Sequence, residues 1–313
     1  MSVPGVLVDT PNTLPQLVLG CLLFCAGLTV ETARMPQIRL LRLPASILMT
    51  WLIPFITAAV LSLAAKLLGC PDGLILGVIV ASVMPIANSS VGWTHLGRGN
   101  LPLILGLLIG STLTGPLVSP WLMQALSSFG LVDDSRILSA LPPGQLAWFL
   151  GFWVLIPALS GTVVGLWSRK QGIVWSALWL RRVSLTCLLL LNYLNASSTL
   201  PLIRSETLVA QGLLLVTINI VSLIVIGWAW GRWSHSDPAD RVSFSLACGM
   251  RNTGAALVLA GTAFQFDPAV GLTIVLQTLL QNIFAGLLIS FAPNDSESEV
   301  TACAAEDAES PAT

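Results

Sequence analysis

The chain is 313 residues long, 55% hydrophobic and only 9% charged, with a formal net charge of −1. Soluble domains carry about 25% charged residues, so this composition excludes a soluble globular protein, and no nucleic-acid partner is expected. Mean hydropathy is +0.85, and apolar runs of about 20 residues recur along the chain, which is the length that crosses a bilayer as a helix. The runs are continuous rather than alternating, which excludes a β-barrel. The fold class expected is an all-α polytopic membrane protein, with the lipid bilayer as its first partner.

Met1–Pro15 has no basic segment ahead of an apolar run, so it is not expected to be a cleaved signal peptide. Nine spans follow, at 13–31, 43–67, 73–97, 101–126, 145–168, 183–203, 206–231, 242–265 and 269–292. Between the fifth and sixth, residues 172–182 read as an interfacial segment, because Trp175, Trp179, Arg181 and Arg182 suit the headgroup zone. The tail from Pro293 to Thr313 is acidic and rich in small residues, a composition expected to be disordered. The six cysteines form no CxxC pair and no metal-ligand spacing, so no cofactor is expected from them.

With this threading, ten basic residues, among them Arg98, Arg169, Lys170, Arg232 and Arg241, fall on one side. Three, Lys66, Arg136 and Arg204, fall on the other. The excess assigns the first side to the cytoplasm, with the N-terminus outside and the C-terminus inside, in a plasma or inner membrane. Arg251 alone among the 14 Lys and Arg residues falls inside an apolar span. A charge there costs roughly 2.5–3.5 kcal/mol on insertion scales and marks a functional site by default.

Two spans are interrupted. The third carries Met84-Pro85-Ile86-Ala87-Asn88-Ser89-Ser90, where proline removes a backbone donor and clashes with the preceding turn. The eighth carries Cys248-Gly249-Met250-Arg251-Asn252-Thr253-Gly254, two glycines around a polar cluster. Each is followed by a short connection, Gly97–Asn100 or Gln265–Pro268, and then a long span. Paired interruptions in corresponding halves point to the binding site of a secondary transporter. The halves are 1–126, with a break at 84–90, and 145–292, with a break at 248–254. Helix-break residues are Pro85, Gly249 and Gly254; cavity candidates are Asn88, Ser89, Ser90, Thr94, Arg251, Asn252 and Thr253, with Gln277, Gln281 and Asn282 from the last span. Backbone satisfaction and interhelical hydrogen bonding are the alternative roles for these polar side chains. No intramembrane Ser/His, Asp/Asp or HExxH arrangement supports an enzyme.

These segments resemble the bile acid:sodium symporter family. The similarity runs through Leu19-Gly20 to Val30, Pro85 with Ser90, Thr94 to Asn100, Gly249-Met250 with Asn252 and Gly254–Leu257, and Gln281-Asn282. It implies inverted repeats, and a core domain of two broken helices that cross at mid-membrane. A panel domain, with helices at 13–31 and 145–203, would move against that core in alternating access. The resemblance further places the family's sodium ligands at Met49, Ser90, Val91, Ile104, Leu108, Ala247, Cys248, Met250 and Arg251. Where sodium-coupled members carry a Glu this chain has Ala247, and where they carry a Gln it has Arg251. A hard cation needs several oxygen ligands, and most of these side chains offer none.

The function expected is therefore a secondary transporter of a small organic anion in which the usual sodium coupling is lost. A non-transporting membrane sensor, or a facilitator of the same fold, is the alternative. Three roles are open to Arg251: a replacement for the ion, a bidentate partner for the substrate anion, or a buried packing charge. No oligomeric state is implied.

Overall fold

A computed structural model describes residues 13–29, 43–131, 142–173, 175–199, 206–234, 237–263 and 267–290. The expected tail at 293–313, the start of the chain, and Arg34, Arg39, Arg42, Arg136 and Arg204 lie outside the described residues.

The helices are α1 (Thr13–Thr29), α2 (Leu43–Leu67), α3 (Asp72–Ser82), α4 (Ser89–Leu96), α5 (Leu101–Ser128), α6 (Pro143–Lys170), α7 (Ala177–Thr199), α8 (Glu206–Ser234), α9 (Pro238–Gly249), α10 (Thr253–Ala263) and α11 (Pro268–Ser290). Five of them, α2, α5, α6, α8 and α11, are long and apolar enough to cross a membrane. The chain is thus an all-α polytopic membrane protein. Within the expected interfacial segment at 172–182, α7 begins at Ala177, so Trp179 and Arg182 belong to its first turns. An amphipathic stretch with its tryptophans at the start reads alike as a surface segment or a helix entrance.

Local chemistry explains the helix starts. Asn100 accepts from the Leu103 amide at 3.0 Å to begin α5, Asp237 from Ala239 at 2.8 Å to begin α9, and Asp267 from Ala269 at 2.9 Å to begin α11. Each cap is followed by a proline in the first turn, Pro102, Pro238 or Pro268, whose missing N–H costs nothing there. In α6, Pro157 follows a π-helical turn at Leu150–Leu155. Without its N–H the regular ladder cannot continue through this point, and the turn widens.

Two glycine-lined seams set the packing. Along α1 and α6, a Cβ on Gly161 would strike the Phe24 carbonyl, one on Gly27 the Ala158 carbonyl, and one on Gly165 would lie 2.9 Å from the Leu28 carbonyl. Backbones meet directly, as small residues permit in membranes. Along α3 and α11, a Cβ on Gly73 would lie 2.7 Å from the Ala269 Cβ and 3.0 Å from Asp267 Oδ1. The same relation recurs, inverted, at the other face. There the Asn100 amide donates to Ala239 O at 3.1 Å, Asn100 Nδ2 to Asp240 Oδ1 at 2.7 Å, and Ser243 Oγ to Asn100 O at 3.1 Å. Each half-helix start is therefore fastened to the hairpin that follows the other break.

Candidate functional site at the two helix breaks

The third span is two helices, α3 and α4, with non-helical chain over 83–88 between them. The eighth is α9 and α10, separated by Met250, Arg251 and Asn252; the α-helix runs through Cys248 and Gly249 before it ends. Interrupting a helix frees backbone groups, and in hydrocarbon each must find a partner inside the protein. The two interruptions partner each other. Ile86 and Arg251 form an antiparallel β-bridge. The Ala87 amide donates to Met250 O at 3.0 Å, and the Asn252 amide donates to Pro85 O at 2.8 Å. Pro85 has no N–H to offer, so its place in the break wastes no donor. The Ile86 amide is taken by Ser111 Oγ of α5 at 3.2 Å.

Arg251 is held from several directions. Its own amide donates to Gln281 Oε1 at 3.2 Å, and its carbonyl accepts from the Thr253 amide at 2.8 Å. Gln281 Nε2 in turn donates to Thr253 Oγ1 at 3.3 Å. The side chain is wholly buried, with 0% exposure. Its Nη1 donates to Thr50 O on α2 at 3.0 Å, and its guanidinium carbon stands 5.1 Å from the centroid of the Trp51 ring. A desolvated cation over a tryptophan face gains about 2 kcal/mol. Trp51 is itself fixed, since its Nε1 donates to Thr114 Oγ1 at 3.0 Å.

The positions to which the resemblance assigns sodium ligands are mostly apolar in place. Ile104, Leu108, Ala247 and Cys248 are buried in one apolar cluster with Ile86, and Met49 and Val91 pack against it. Met250 is buried in a neighbouring cluster. Ser90, the hydroxyl-bearing member of the set, is fully buried, and its Oγ has no partner among the described residues.

The remaining candidates divide. Asn88 lines a cavity of about 120 Å³ whose other walls come from α1 (Leu23, Ala26, Gly27), α5 and α6. Arg251 is not part of that lining. Ser89 is exposed, and Thr94 is buried with a hydroxyl that has no partner among the described residues. Asn252 Oδ1 caps α10 by accepting from Ala255 N at 3.1 Å. Gly254 sits in the first turn of that helix, and a Cβ there would lie 3.2 Å from Leu191. Gln277 accepts from Asn219 Nδ2 at 3.4 Å in the interior. Asn282 accepts from Trp93 Nε1 at 3.0 Å and donates to Thr278 O at 2.7 Å.

Sequence reasoning missed Thr50, Trp51 and Ser111, which serve the breaks from α2 and α5, and Thr112 and Thr162, which line the cavity. The sequence carries a faint signal for them: Ser111-Thr112 follows a wholly apolar stretch, and Trp51 lies well inside a span rather than at its end. Both cavity threonines donate to carbonyls of their own helices, Thr112 to Leu108 at 2.8 Å and Thr162 to Ala158 at 2.9 Å. They therefore present acceptor lone pairs to the cavity, and the Asn88 amide is its side-chain donor.

Comparison with known proteins bears on this arrangement. The model of the Sodium Bile acid symporter family matches residues 16–211, more than half of the chain. The protein YbaS of Bacillus subtilis (strain 168), described as uncharacterized, is 27% identical over 215 residues, covering 68% of this chain and 67% of its own. The uncharacterized sodium-dependent transporter YocS of the same organism is 23% identical over 277 residues, covering 87% of this chain and 81% of its own. The second break and Arg251 lie beyond the residues that the family model matches. The paired breaks within a bundle of membrane helices, together with this match, make the chain a member of the sodium bile acid symporter family and a membrane transporter of that type.

Proposed function

We propose that this transporter carries a small organic anion by alternating access, and that the Arg251 guanidinium takes the place of the coupling sodium. One observation carries the reading. Six of the nine positions to which the resemblance assigns sodium ligands, Met49, Val91, Ile104, Leu108, Ala247 and Cys248, come together here as an apolar cluster beside a buried guanidinium, and Ser90 alone of the nine brings a side-chain oxygen. Sodium needs several oxygen ligands, and a carboxylate strengthens its site. These six side chains supply no oxygen, and a neighbouring fixed cation repels the ion at low dielectric. The residues present do not fit sodium, and no step of transport runs through it.

The substrate route is the cavity between α1 and α6 on one side and α4 and α5 on the other. Its walls are mainly aliphatic, with Asn88, Thr112 and Thr162 as the polar side chains. That lining suits the apolar body of the substrate, and the Asn88 amide is its side-chain donor for an anionic group. In the threading used, the N-terminus is outside and the C-terminus cytoplasmic.

The test holds chloride constant and exchanges sodium for potassium. The purified protein should show the same melting temperature in both salts, and proteoliposomes should take up substrate equally in both. A sodium-specific stabilisation that disappears in Arg251→Gln, or uptake that requires a sodium gradient, would overturn the reading. Arg251→Lys keeps the charge but loses the planar fork. It should retain uptake with a lower melting temperature, because the charge rather than a substrate contact is what the site needs.

A further inference from the structure

Arg251 leaves part of its hydrogen-bonding capacity unused. Nη1 is taken by Thr50 O, while Nε and Nη2 have no partner among the described residues. These two nitrogens form one edge of the guanidinium, with their N–H bonds parallel. That edge is the fork that receives a single acceptor from two donors. The side chain is 0% exposed, so bulk water does not reach the fork. An unsatisfied buried donor is destabilising, and more so when the group is charged.

Among the described residues no carboxylate is placed to compensate the charge. The described carboxylates, Asp72, Glu206, Asp237, Asp240 and Asp267, all stand at helix starts. Arg251 follows the 12 residues of α9, about 18 Å from that helix's outer end at 1.5 Å per residue. The Trp51 face and the Thr50 carbonyl supply only partial negative charge. The backbone of Arg251 is pinned by Gln281, Thr253 and the bridge to Ile86, so the side chain cannot swing to a carboxylate at the membrane surface. A second buried orphan stands nearby in the chain: Ser90 Oγ, a hydroxyl free to donate, four residues after the Ile86 that pairs with Arg251.

We infer that the open Nε–Nη2 edge of Arg251 is the binding site of a small monovalent inorganic anion of chloride size. The site is separate from the organic-substrate cavity, whose lining does not include Arg251. Full burial of the fork favours a small anion over a bulky organic one. The bound halide accepts two charge-assisted hydrogen bonds and cancels the fixed charge in the membrane interior. A member of a family named for its cation would thereby hold an inorganic anion at the crossing of its broken helices.

The experiment keeps sodium constant and varies the anion. Melting temperature is measured on the purified full chain in sodium chloride, bromide, formate and gluconate at equal ionic strength. Chloride and bromide should stabilise by several degrees relative to gluconate, which is too large to enter, and Arg251→Gln should lose that difference. Formate tests the chemistry: stabilisation equal to or greater than that by chloride would reassign the fork to a carboxylate and overturn the halide site. Equal melting temperatures in chloride and gluconate, or a chloride effect retained in Arg251→Gln, would also overturn it. Should that variant not fold, crystals of the unaltered protein grown in bromide decide. An anomalous peak within hydrogen-bond distance of Nε and Nη2 upholds the site, and its absence there removes it. The sodium-for-potassium exchange described above leaves chloride unchanged, so the two proposals fail separately.

Discussion

At the residue scale, the main finding is how much of the interior is organised around one side chain. Arg251 was legible in the sequence as the one basic residue inside an apolar span, but its partners were not. Thr50 contributes a backbone carbonyl, which leaves no mark on residue type, and the mid-span place of Trp51 does not name the cation it faces. Gln281 was expected as a cavity residue; it is placed as a clamp on the Arg251 amide and the Thr253 hydroxyl. Gln281→Leu should therefore cost about 1–3 kcal/mol by stranding a buried N–H. Thermal unfolding in detergent would read this as a lower midpoint. A midpoint equal to that of the unaltered protein would show that the clamp is dispensable. Asn282 spends its carbonyl on Trp93 and its amide on Thr278, so Trp93→Phe should release it and loosen the contact of α4 with α11.

At the element scale, the helix interruptions were readable because proline, glycine and polar residues have local consequences that no tertiary context removes. That the interruptions bond to each other was not readable. The bridge from Ile86 to Arg251 joins residues 165 positions apart, and nothing in either segment names its partner. The same holds for the glycine seam of α1 and α6. Gly161→Ala should push the two helices apart and cost about 1–3 kcal/mol by overpacking. Gly144→Ala, where a new Cβ meets nothing within 4 Å, should be neutral or slightly stabilising because alanine is the better helix former. Measuring both melting temperatures separates a packing effect from a generic one. Asn100→Ala removes the cap of α5 and the bond to Asp240 together. A loss of about 1–2 kcal/mol is expected, with faster hydrogen exchange confined to the hairpin and the first turn of α5.

At the scale of the whole molecule, a 120 Å³ cavity opens where α1 and α6 face α4 and α5, and the Arg251 assembly lies outside its lining. This separation gives a prediction. Ala158→Phe should fill the cavity from α6 and slow labelling of a cysteine placed at Thr112 by at least tenfold, while the anion dependence of the melting temperature stays as in the unaltered protein. Equal labelling rates would mean that these walls do not bound one space.

Sequence alone determined the class of molecule, because apolar runs of bilayer length admit few folds, and it determined where the helices break, because proline and glycine act locally. Through the family resemblance it also pointed to positions where sodium ligands are expected and side-chain oxygen atoms are mostly missing. The tertiary structure decided what replaced them. Only the packing of α2, α4, α5 and α9 brings Met49, Val91, Ile104, Leu108, Ala247 and Cys248 into one apolar cluster, and only the crossing of the two breaks turns Arg251 toward α2. Burial and hydrogen-bond partnership are properties of residues distant in the chain, and they become defined when the backbone groups freed at one break have nowhere to go but the other.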